Sequence, residues 1–137
     1  MTAKAFIDTN VLLYAGSQYP GDQEKRAIAL ELLGRPDLGF SAQVMAEYFN
    51  AARIKAHLGI SHEIAVENLN ILSRRAILSI TPALVILATG LAKSYHVSYY
   101  NAAILAAAIE LGCATLYTED LSHGQTYESA QVINPFV

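Results

Sequence analysis

The sequence is poor in cysteine, charge and long apolar runs, and each shortage excludes something. Cys113 is the only cysteine, so an intrachain disulfide is impossible and a reducing compartment fits. Beside Gly112 it reads as a small buried thiol. Nine Lys and Arg against twelve Asp and Glu leave a net charge of -3, so no overall basic field exists to hold a nucleic acid. Any such binding must be local. The longest apolar stretch, around Ala83–Ala88, is too short to span a bilayer, and the opening MTAKAFIDTN lacks the apolar core of a signal peptide. A cytoplasmic protein with no membrane association is the expectation. There is no Gly-rich phosphate loop and no Ser-His-Asp order. His57, His62, His96 and His123 share no short spacing that would form a zinc site.

Apolar residues, in contrast, make up 53% of the 137 positions, against 15% charged, which argues for a well-filled core and against disorder. A chain of this length buries roughly two thirds of its unfolded surface on folding, so residues 1–137 are expected to form one domain. The apolar excess predicts a homodimer or a permanent partner.

Short apolar runs alternate with helical periodicity. Ala5-Phe6-Ile7 reads as a strand that stops at the polar corner Asp8-Thr9-Asn10, and Val11–Tyr14 resumes as helix. Asp22 is expected to cap a helix running to about Leu33, with Ile28, Leu32 and Leu33 as its apolar stripe. A short strand near Gly39-Phe40 follows, then a helix capped by Ser41 that carries Val44, Met45, Glu47, Tyr48, Phe49, Ala52 and Ile54 until Gly59 stops it. Ser61 opens a helix with Ile64, Leu69 and Leu72, Ile77–Ile80 reads as a strand, and Thr81-Pro82 starts another helix. Ser98 caps an almost wholly apolar helix to Leu111, ended by Gly112, before strands at Ala114–Tyr117 and Gln131–Ile133. The alternation predicts an α/β fold with right-handed crossovers and a mostly parallel sheet covered on both faces. In such sheets ligands bind beyond the carboxyl ends of the strands, where Asp8 and Asp120 fall.

A carboxylate ending an apolar strand suits a hard cation such as Mg²⁺ or Mn²⁺, although Asp8 serves equally as a helix N-cap. Asn10 either orients Asp8 by a hydrogen bond or is a turn residue. Glu47 stands among apolar neighbours, with Lys55 two turns on as the nearby base at helical spacing. Glu119-Asp120 repeats the acid-terminated strand. Asn101, in the first turn of the apolar helix, either satisfies orphan N–H groups there or belongs to the site.

Together these residues resemble the PIN-domain nuclease family, in particular the VapC-type ribonuclease toxins of toxin–antitoxin pairs. The resemblance runs end to end, through FIDTNVLLY at Phe6–Tyr14, AEYFN at Ala46–Asn50, SYYNAAILAAA at Ser98–Ala108, LYTEDLSHGQ at Leu116–Gln125 and INPF at Ile133–Phe136. It implies a three-layer α/β/α architecture and an Mg²⁺- or Mn²⁺-dependent cut at RNA phosphodiesters. It also implies a cognate VapB-type antitoxin as partner. Catalytic and metal-binding roles then fall on Asp8, Glu47 and Asp120, with Thr118 and Glu119 alongside. One departure stands out: the family usually has aspartate where this chain has Asn101, and an amide oxygen brings no charge and coordinates a hard ion more weakly.

An acidic pocket repels a phosphate backbone, so basic side chains must guide the substrate; Arg53, Lys55, Arg74, Arg75 and Lys93 are candidates. His123 lies next to the acidic corner and is a candidate for a catalytic or substrate-binding role. Tyr99 and Tyr100 are read as packing the helix, with base stacking as the alternative. A PIN-like module that binds without cutting is the competing reading. An aspartyl phosphatase built on Asp8 is weaker, because Asn10 stands where its second carboxylate is expected.

Overall fold

A computed structural model describes residues 3–137. Strand β1 (Ala5–Ile7) is wholly buried and ends at Asp8, from which helix α1 (Thr9–Gly16) departs. Helix α2 (Gln23–Leu33) leads to β2 (Leu38–Ser41), and α3 (Ala42–Ile54) and α4 (His62–Leu72) lead to β3 (Ala76–Leu78). Helices α5 (Pro82–Tyr95) and α6 (Tyr99–Glu110) return the chain to β4 (Thr115–Tyr117), and β5 (Thr126–Tyr127) and β6 (Ala130–Ile133) finish the sheet. Ser41, Ser61, Thr81 and Ser98 each accept a hydrogen bond from the backbone N–H three residues on, as expected of N-caps.

The six strands lie in the order β3-β2-β1-β4-β6-β5, all parallel except β5, which forms a short hairpin with β6. From β1 the chain moves outward through β2 to β3, then crosses back to place β4 on the other side of β1. Right-handed crossovers in these two directions put their helices on opposite faces. Helix α1 accordingly packs on α2 and α3, and α3 on α4, while α5 packs on α6, which lies against β2, β4 and β6. This is the expected α/β/α sandwich, with Ala102–Ala108 of α6 buried end to end. The strand order reverses between β1 and β4, and a crevice opens there at the carboxyl edge.

Several expectations are corrected. Asp22 flanks α2 but makes no side-chain cap; its carboxylate accepts from Ser17 Oγ at 2.7 Å. The inward face of α2 centres on Ala29, with Leu32 and Leu33 packed against the core as expected, whereas Ile28 is 37% exposed. Helix α3 ends at Ile54, and a separate 3₁₀ turn at Ala56–Leu58 carries the chain to Gly59, whose φ of 68° ends it. Strand β3 sits at Ala76–Leu78 because Leu78 pairs with Ser41, the last residue of β2; Ile80 lies beyond any partner. Tyr99 and Tyr100 are exposed, stacked edge to face at 5.4 Å, and do not pack the helix interior. Among the described residues no helix is long and apolar enough to cross a membrane.

Candidate active site

Three separate elements bring acids to the crevice. Asp8 ends β1, and its backbone N–H donates to Tyr117 O at 3.1 Å, locking the β1 and β4 ends side by side. Glu47 lies in the second turn of α3, whose N-terminus Ser41 fixes at the same sheet edge. Asp120 follows β4 by three residues. Hydrogen bonds link them into a chain. Thr9 donates its N–H to Asp8 Oδ1 at 2.6 Å and its hydroxyl to Glu47 Oε2 at 3.0 Å. Thr118 donates its hydroxyl to Asp8 Oδ2 at 2.7 Å and accepts from the Asp120 N–H at 3.1 Å. Gln43 Nε2 donates to Glu47 Oε1 at 3.1 Å.

Asp8 is 4% exposed, and its neighbour Thr9 lines a cleft of about 340 Å³ together with Asn10, Glu47, Asn50, Lys55 and Asp120. Burial pushes its carboxyl up to about 6; the Thr118 and Thr9 hydrogen bonds oppose that rise, and the charges of Asp120 and Glu47 add to it. Asp8 therefore caps α1, as one of its two readings expects, and it also lies in the electrostatic field of two other acids.

The remaining candidates divide. Thr118 is buried between Asp8 and Asp120 and positions both. Asn10 orients Asp120, not Asp8: its Nδ2 donates to Asp120 Oδ2 at 3.3 Å. Glu119 turns away from the cleft, accepting from Tyr14 Oη at 2.7 Å and pairing with Lys25 at 3.3 Å. Asn101 is half-buried in the first turn of α6, its N–H on Ser98 Oγ, and its amide is not among the groups lining the cleft. Arg53 binds Asn50 Oδ1 and faces a different depression, with Phe49, Ile60 and His62. His123 accepts from the Asn134 N–H at 2.9 Å, a contact that braces the closing turn. Of the basic candidates, it is Lys55 that lines the acidic cleft. Its spacing of eight residues from Glu47, two helical turns, was the signal for that shared face. Thr9 and Gln43 were not singled out in the sequence; the four-residue step from Gln43 to Glu47 was legible, whereas Thr9 reads as an ordinary turn residue.

The donor set suits a divalent ion in kind. Asp8, Glu47 and Asp120 offer hard oxygens, and no Lys or Arg ion-pairs with any of them among the described residues. Like charges left uncompensated in a crevice attract a cation. The set is not closed, however: among the described residues no group of three or more His, Cys, Asp and Glu side chains stands ready to enclose an ion.

Residues 5–128 match the family described as PIN domain. No curated protein matches the chain by sequence. Solved structures share the fold. VapC20 of Mycobacterium tuberculosis, described as a sarcin–ricin loop cleaving toxin, is 18% identical with a TM-score of 0.68 over 85% of this chain and 90% of that one. A toxin–antitoxin complex from Klebsiella pneumoniae gives 20% identity and 0.69 over 96% and 98%. FitAcB from Neisseria gonorrhoeae gives 21% and 0.68 over 96% and 98%. At these identities the likeness establishes the fold alone.

Proposed function

We propose, from the premise that this chain belongs to the PIN-domain family, that it is a metal-dependent endoribonuclease of the VapC toxin type, restrained by a cognate antitoxin and weakened by Asn101. The observation that carries this reading is the meeting of Asp8, Glu47 and Asp120 at the sheet's switch point with no basic partner among the described residues. A bound Mg²⁺ or Mn²⁺ supplies Lewis acidity toward water and the phosphoryl oxygens. The chain's own groups do the rest. Thr118 and Thr9 hold the Asp8 carboxylate from both oxygens, which fixes its orientation. Lys55 puts a positive charge on the cleft wall, where a phosphate must pass the acids. Asn101, which by the resemblance stands where the family usually has aspartate, contributes no charge to favour the cation.

An apolar groove of about 260 Å³ between α1, α2 and α4, lined by Leu12, Leu30, Leu33, Tyr48, Ile71 and Arg75, suits an amphipathic antitoxin segment. Recovery of that partner on purification from the native host is the expected outcome. Val85, Ile86 and Leu87 on α5 are exposed and suit a homodimer contact.

The test is cleavage of a labelled structured RNA panel by this chain and by Asn101→Asp, each with Mg²⁺ or Mn²⁺, with chelator and Asp8→Ala as controls. Cleavage that rises with Asn101→Asp and stops with chelator supports the reading. A second reading, a PIN-like module that binds without cutting, draws on the unclosed ligand set and on the uncharged amide of Asn101. It takes the lead if neither form cuts any RNA.

A further inference from the structure

A second depression, of about 180 Å³, adjoins the acidic cleft and shares Asn10, Leu13 and Lys55 with it; Tyr14, Asp22, His57 and Leu58 complete its walls. Its size suits one planar ring system. Leu13 and Leu58 are buried and present apolar surface, while the His57 ring is exposed and propped edge-on by Tyr19, centroids 5.3 Å apart at 87°. The wall is braced. Gln18 donates its N–H to Leu58 O at 2.7 Å, and Gly59 turns beneath it at φ 68°, where a Cβ would stand 3.1 Å from Gln18.

The polar groups are unevenly satisfied. Asn10 must direct Nδ2 at the Asp120 carboxylate, so its Oδ1 is an acceptor, and that oxygen is buried with no donor. A buried acceptor left without a donor is costly. Asp22 adds a carboxylate already oriented by Ser17 Oγ. The Asp22 carboxylate beside apolar walls and an imidazole describes a site for a nucleobase read by its N–H edge. Guanine fits best, because N1–H and the N2 amine point the same way toward one carboxylate. Adenine and cytosine set a ring-nitrogen lone pair beside their amine, and uracil flanks its N–H with two carbonyls.

We propose that this depression is a nucleobase subsite that receives a guanine of single-stranded RNA, with Lys55 on the shared ridge taking the adjoining phosphate. RNA as the source of the base rests on the ribonuclease reading; binding of the base does not.

The experiment is a metal-free NMR titration of the labelled protein with GMP, AMP, CMP and UMP, followed by single-stranded oligonucleotides with one guanine or none. GMP is expected to shift the His57 ring and the Leu13 and Leu58 methyl signals and to bind about tenfold tighter than the other nucleotides. Asp22→Asn, which keeps an oxygen for Ser17, is expected to erase that preference without disturbing the rest of the spectrum. The guanine-bearing oligonucleotide should bind tighter than GMP. Absence of shifts at these residues, or a guanine preference that survives Asp22→Asn, overturns the subsite. Tight GMP binding with no gain from the oligonucleotide overturns RNA as the source. GMP shifts without metal-stimulated cleavage would leave the subsite standing and remove the nuclease reading; cleavage without shifts would do the reverse.

Discussion

Asp8 is held where its charge is costly. In the unfolded chain it titrates in the ordinary carboxyl range, whereas burial in the fold raises it to about 6. Between those limits the folded state binds the extra proton, so stability falls as pH rises through that window and stays reduced above it. Asp8→Asn is therefore expected to stabilise the metal-free protein by about 1–3 kcal/mol near pH 7.5, with the gain shrinking toward pH 4. Urea denaturation at the two pH values checks this, and an equal gain at both would refute desolvation as the cause. The same burial explains Cys113, whose thiol is pushed up to about 11 and should react slowly with thiol reagents in the native state. At this scale the acids were legible because a charge ending an apolar strand is anomalous in one dimension. The partners were not: that Asn10 reaches Asp120, and Glu119 reaches Lys25, depends on contacts spanning 110 and 94 positions of the chain.

At the scale of elements, β2 passes so close to its neighbours that a Cβ at Gly39 would stand 2.9 Å from Ala3 Cβ and from Leu111 Cδ1. The leucine tip can move and the alanine cannot. Gly39→Ala should destabilise by about 1–3 kcal/mol, read as a lower denaturation midpoint with an unchanged slope. Ser98→Ala should cost about 1 kcal/mol, because its hydroxyl accepts the Asn101 N–H that opens α6. Four such caps were legible in the sequence, since a cap acts within three residues of itself. Asp22 was misread for the complementary reason: its carboxylate is taken by Ser17, on the far side of the preceding turn. Strand β5 escaped notice because two residues carry no periodicity, and pairing with β6 alone makes them a strand.

The whole molecule leaves apolar surface uncovered, and among the helical residues Ile86 on α5 is 70% exposed. If α5 joins two copies, light scattering should return a dimer for this chain and a monomer for Ile86→Glu, since a charge placed in an apolar contact is unpaired. A parent chain that stays monomeric at all concentrations removes the proposal. Alternation of apolar strands with capped helices was enough to specify a parallel α/β domain with acids at its strand ends, because local propensity, periodicity and the handedness of crossovers act on neighbours in sequence. Which strands lie side by side is a different matter. The return of the chain from β3 across to β4 sets Asp8 against Asp120, swings Glu47 over both, and turns Lys55 into the same cleft while leaving Arg53 and His123 outside it. Those choices come from burying both faces of one sheet at once, a condition no short stretch of sequence expresses.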